Sequence, residues 1–197
     1  MIEKLVTSVL VDDILGNFLV SVPPGHIACV YDRGRGVLKR VLKPGLHLKV
    51  PFWQKAKLFN TQIQEYALKK GHQVKDENDL GDRNIIALTV DDRPVSIEGT
   101  VLFRINAEDA SILWETIGED YVKKIIRPLT RSRMRMVVSS YSNMDVYAKQ
   151  EEIEIAIENA LMPVFASKSL ILEDVLLANI SPANEEELRQ SSANSPA

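Results

Sequence analysis

The sequence is poor in the residues that most chemistry needs. It has one cysteine, Cys29, in 197 residues, which excludes an internal disulfide and any multi-cysteine metal site. Set between Ala28 and Val30 in an apolar run, that thiol reads as a small buried hydrophobe. The three histidines, His26, His47 and His72, fall on separate elements without ligand spacing, and no H-E-x-x-H occurs. There is no G-x-S-x-G elbow, and the pair Ser139–Ser140 has no base nearby in sequence. No catalytic, metal or cofactor-binding residue is assigned. A formal net charge of −3 argues against a dedicated nucleic-acid binder, which carries a basic balance.

Long apolar runs are also missing. A membrane-spanning helix needs about 20 mostly apolar residues, and Asp12 and Asp13 interrupt the one candidate window. Each would cost roughly 2.5–3.5 kcal/mol at the bilayer centre. Residues 1–21 read instead as an apolar, amphipathic helical segment. Ile2, Leu5, Val6 and Val9 share one face, and Val11, Ile14, Leu15 and Phe18 repeat the template nine residues on. At about 100° per residue the second face lies half a turn from the first. The segment therefore either packs on protein or lies on a membrane surface.

What is present is strands followed by helices. Pro23-Pro24-Gly25 ends the first segment, and "HIACVYD" and "VLKRVLK" read as strands around a glycine turn. Lys43-Pro44-Gly45 suits a type II turn. "LHLKVPF" alternates strictly, Leu46, Leu48 and Val50 against His47 and Lys49, as in a half-buried strand. Residues 69–84 read as an exposed polar loop, and 85–105 as a hairpin turning at Asp91-Asp92-Arg93-Pro94. A short helix should end at Gly118, and Pro128 should open another. One helix is expected over 145–165, ended or kinked by Pro163, and then a strand from Ser169. Ser181-Pro182 should cap a last helix over 181–190, before a disordered tail at 191–197. This order predicts an α+β fold, a mostly antiparallel sheet with helices packed on one side.

Two basic groupings invite a functional reading. Asp32-Arg33-Gly34-Arg35-Gly36 lacks the third glycine of a dinucleotide fingerprint and the Gly-Lys-Ser/Thr of a P-loop. It fits a hairpin loop of three to five residues. Lys123, Arg127, Arg131 and Arg135 recur every four residues. On a helix they form a stripe: a solvated face paired with acids elsewhere, a contact to a neighbouring subunit, or a contact to anionic lipid.

Five stretches in order then resemble one family. "VPPGHIACVYDRGRGV", "KPGLHLKVPFWQK", "VDDRPVSIEGTVLFRI", "IGEDYVKKIIRPLTRSRMRMVVSSYS" and "LILEDVLLANI" are similar to the SPFH domain of prohibitins, stomatins and flotillins, with the prohibitin branch nearest. The resemblance runs from about residue 22 to 190, with the domain at 22–180. It implies a scaffold on a membrane, peripheral or shallowly anchored, and not an enzyme. It implies no cofactor. The implied partners are its own copies in a homo- or hetero-oligomer, membrane lipid, and membrane proteins such as a membrane protease. Val11, Ile14, Leu15, Phe18, Phe52 and Trp53 would face the membrane, and the 123–135 stripe a subunit or lipid. The alternative is a soluble protein-binding module on the same fold.

Overall fold

The computed structural model describes residues 18–72 and 80–184, which form two compact units: 18–62 with 105–119, and 63–104 with 120–184. The α+β class holds in each.

The first unit is built on β1 (Leu19–Val22), β2 (His26–Asp32), β3 (Gly36–Leu42), β4 (Gly45–Leu48), β5 (Gln54–Asn60) and helix α1 (Ala110–Thr116). β2 is the centre of an antiparallel sheet in the order β3-β2-β5, and β1 and β4 make a separate two-stranded ribbon. The run "IACV" explains that centre, because a strand covered on both faces needs no polar alternation. On one face Ala28 and Val30 pack with Val22 and Leu42, and the half-buried Val20 joins them from the ribbon. On the other face lies Ile27, paired with Phe59. The Phe59 ring meets Trp114 of α1 edge to face, centroids 6.1 Å apart. Ribbon and helix thus cover opposite faces of the sheet. Burial pushes the Cys29 thiol up to about 11, so it stays protonated. Helix α1 closes at Gly118, whose φ of 92° lets its N–H reach back to Leu113 O.

The second unit holds β6 (Gln64–Lys69), β7 (Asp82–Arg83), β8 (Ile85–Leu88), β9 (Pro94–Ile105) and β10 (Leu170–Pro182). They run in the order β10-β9-β6-β7, with β8 on β9; all of β9 but its last residue, Ile105, belongs here. The β8–β9 hairpin turns where expected, with Leu88 opposite Pro94. Gly99 of β9 allows β10 to come close: a Cβ there would sit 2.5 Å from Leu176 O. Against this sheet pack α2 (Arg127–Val138), α3 (Asn143–Ala148) and α4 (Gln150–Ala166).

Several expectations need correction. Pro128 does open α2, but a π-helical turn, Val122–Ile126, leads straight into it. The Arg127 N–H bonds Val122 O five residues back, so the chain widens ahead of the proline that cannot donate. The single helix expected over 145–165 is two. The chain breaks at Lys149 (φ −120°, ψ 40°), and Ser142 caps the first piece by accepting from Asp145 N at 3.2 Å. Pro163 lies in the last turn of α4, which ends three residues later at Ala166. The polar stretch before residue 85 is not wholly an exposed loop: Asp82 and Asn84 are buried, and β7 pairs parallel with β6. Ser181 and Pro182 close β10 where a helix cap was expected, and 185–197 lie outside the described residues.

Candidate functional site

The sequence points to two places, and the structure gives each a definite chemistry. The first begins in β4. "LHLKVPF" alternates as expected, but its apolar side is the one left in water. Leu46 is 67% exposed, Leu48 80% and Phe52 85%, with Val50 and Trp53 each more than half exposed. The register explains the reversal. Val20 pairs with His47 on the ribbon face that meets the core, while Leu19 pairs with Leu48 and Ser21 with Leu46 on the other. Those outer positions have no element over them among the described residues. Phe18, 41% exposed, adjoins the same end, where its carbonyl accepts from Lys49 N at 2.8 Å. Val11, Ile14 and Leu15 lie outside the described residues.

The tip of this ridge is tied down. Gln54 N donates to Val50 O at 2.9 Å and Val50 N to Gln54 Oε1 at 3.0 Å, closing the loop around Phe52 and Trp53. Gln54 Nε2 donates to Asp32 Oδ2 at 2.9 Å, and Arg33 N to Trp53 O at 3.1 Å. The β2–β3 turn and the aromatic loop are therefore one body. That turn has three residues, 33–35, with Arg35 N bonded to Asp32 O and Gly36 at φ 80°, a three-residue hairpin. Asp32 also accepts from Gly34 N at 3.0 Å and Arg35 Nη2 at 3.1 Å. The bonds from Gln54 and Arg35 hold its carboxyl down at about 2. Phe52 sits at φ 61°, a left-handed conformation that a bulky residue adopts only under constraint.

The second place is the basic stripe. Arg127 grips Asp82 with a fork, Nε to Oδ2 at 2.8 Å and Nη2 to Oδ1 at 3.0 Å. Arg131 Nη1 reaches the same Oδ2 and Arg83 O, both at 3.1 Å, and Arg135 Nε donates to Ile86 O at 3.0 Å. Tyr66 Oη donates to Asp82 from inside, and burial, then the carboxylate, push its phenol up. Lys123 is exposed on the π-helical turn.

Sequence reasoning singled out Phe52 and Trp53 but missed Leu19, Leu46 and Leu48, because alternation gives a period and not which side is covered. It also missed Asp32 and Gln54, which are 22 positions apart and carry no local signal. Among the described residues no group of three or more His, Cys, Asp or Glu could hold a metal ion. No described helix is long and apolar enough to cross a membrane.

The family model described as "SPFH domain / Band 7 family" matches residues 20–193. The chain belongs to that family. Among similar SPFH proteins, prohibitin 1 of Mus musculus is 26% identical over 174 residues, 87% of this chain and 58% of its own length. Prohibitin-7, mitochondrial, of Arabidopsis thaliana is 21% identical over 171 residues, 87% of this chain and 56% of its own. The chain thus spans a little over half the length of the prohibitins it matches. Both the ridge and the arginine stripe lie inside the matched SPFH span, apart from Phe18 and Leu19 at its start.

Proposed function

We propose that this chain is a prohibitin-type scaffold that attaches to the face of a membrane, peripherally or shallowly anchored, and assembles there with other copies. The observation that carries the reading is the exposed apolar ridge Leu46, Leu48, Val50 and Phe52, continued by Trp53. Large contiguous apolar surface on a folded protein marks a site of contact with membrane or protein. Phenylalanine and tryptophan at its tip suit the lipid–water boundary, where aromatic rings collect. Val11, Ile14 and Leu15 would add to the same attachment.

The reading extends to organising lipid and membrane proteins around the assembly, a membrane protease among them. Lys123 and the outer half of Arg127 would meet a neighbouring copy, since Arg131 is largely covered and Arg135 is held by a backbone carbonyl. The test is quenching of tryptophan emission by vesicles whose lipids carry bromine in the acyl chains. Quenching is expected in the intact chain and should vanish in Trp53→Phe, leaving unquenched Trp114, which α1 packs against Phe59. Emission indifferent to every vesicle tested would end the membrane reading.

A further inference from the structure

The first unit is charged very unevenly. Between residues 18 and 62 eight lysines and arginines stand against one acid, Asp32, in a chain whose net charge is −3. Asp32 is buried and already engaged by Arg35. Among the described residues the remaining acids of this unit, Glu108, Asp109, Glu115 and Glu119, all belong to the 105–119 segment that carries α1. Helix α1 covers the sheet face opposite the ribbon. One of the eight, Lys57, pairs with Glu119 of the 105–119 segment, while Arg33 and Arg35 stand on the turn at the tip of the apolar ridge.

The join between turn and loop sharpens this. Arg33 is exposed, and its backbone N–H holds the Trp53 carbonyl. A Cβ added to Gly34 would come 3.6 Å from Trp53 Nε1, so the indole lies against the turn. Arg35 has its charge balanced by Asp32 at 3.1 Å, whereas Arg33 faces no carboxylate within bridging distance among the described residues. One rigid tip therefore presents a cation beside two exposed aromatic rings.

We propose that this tip selects bilayers rich in negatively charged phospholipid, with Phe52 and Trp53 entering the interface and Arg33 meeting a headgroup phosphate. The proposal rests on the membrane reading above and adds the lipid class to it. Charge complementarity argues for this occupant over a protein: a basic residue beside an anionic leaflet gains attraction that a neutral surface cannot give.

Flotation of the intact 197-residue chain with vesicles of phosphatidylcholine alone, or with about a third phosphatidylglycerol, tests it. The intact chain should bind the anionic vesicles at least about five-fold more tightly, the effect of roughly one basic residue at such a surface. Arg33→Gln should remove about five-fold on anionic vesicles and leave neutral ones unchanged. Lys168→Gln, the same charge change on an exposed residue of the other unit, should alter neither. Equal binding to both vesicles, or equal losses from Arg33→Gln and Lys168→Gln, would overturn the proposal and leave membrane attachment standing. Binding to no vesicle would overturn both.

Discussion

Arg33 and Arg35 stand on a three-residue turn beside exposed aromatic rings, whereas Arg127, Arg131 and Arg135 lie along a helix against Asp82 and the carbonyls of β7 and β8. Both groups look alike in sequence: closely spaced guanidiniums with few acids between them. What separates them is where the nearest carboxylate is buried. Asp82 is almost wholly enclosed, and an unpaired charge there would cost several kcal/mol, so the fold brings two arginines and a tyrosine to it. Asp32 is equally enclosed but takes one arginine only, and satisfies its other lone pairs with Gln54 and Gly34. That leaves Arg33 for something outside the molecule. A basic cluster is therefore available for binding only after the buried acids within reach have been satisfied.

The largest effect should come from removing the acid that absorbs the stripe. Asp82→Ala leaves two guanidiniums and the Tyr66 hydroxyl without their partner, and the loss should be about 3 kcal/mol. Arg127 is half exposed and can turn to solvent, which keeps the figure at the low end of the range for a broken buried pair. Urea unfolding would read it directly. A variant as stable as the parent would show that the fold does not hold the stripe, and the contrast with Arg33 would collapse.

Next is the ridge. Burying a phenylalanine is worth about 1.5–3 kcal/mol, so Phe52→Ser should weaken vesicle binding by about ten-fold or more. Its melting temperature should not fall, since Phe52 is the most exposed large apolar side chain described and supports no core. Loss of binding and of stability together would place Phe52 in the fold and out of the contact surface.

These two sites differ in how far the sequence disclosed them. The strands, the glycine turn and the α+β order follow from alternation and punctuation, which act over a few residues. The direction in which "LHLKVPF" faces does not, because it depends on Leu19 and Ser21 pairing with Leu48 and Leu46 from beyond two intervening strands. Likewise Asp82 lies in a polar stretch that reads as loop, and only its tertiary contacts with a helix some 45 residues later reveal a buried charge. The helix break at Lys149 was hidden for a related reason: good helix formers surround it, and Ser142 caps from outside the expected span. Period is local and legible, while the choice of buried side is made by partners distant in sequence.

Phe52 also allows stability and binding to be separated. At φ 61° a side chain costs about 1–2 kcal/mol that glycine does not incur. Phe52→Gly should accordingly stabilise the fold by about 1 kcal/mol, while weakening vesicle binding as the serine variant does. Opposite signs in the two assays would identify strain retained for contact. If the glycine variant is less stable, the left-handed backbone is not costly, and the loop is held by Phe52 packing instead.

The smallest effect is a change of pH dependence at the clamp joining turn to loop. The Asp32 carboxyl titrates at about 2 in the folded chain against 3.8 as its ordinary value, first through Gln54 and then Arg35. A depressed carboxylate stabilises the fold above its unfolded pKa, and that contribution fades as pH falls from about 3.8 towards 2. Asp32→Asn cannot supply it at any pH. The stability difference between parent and variant should therefore be full at neutral pH, begin to shrink below about pH 4, and be least near pH 2. A difference that stays constant across that window would mean Asp32 acts by shape and neutral hydrogen bonds alone. The ionised clamp would then no longer explain why Arg35 is held while Arg33 is left to face outward.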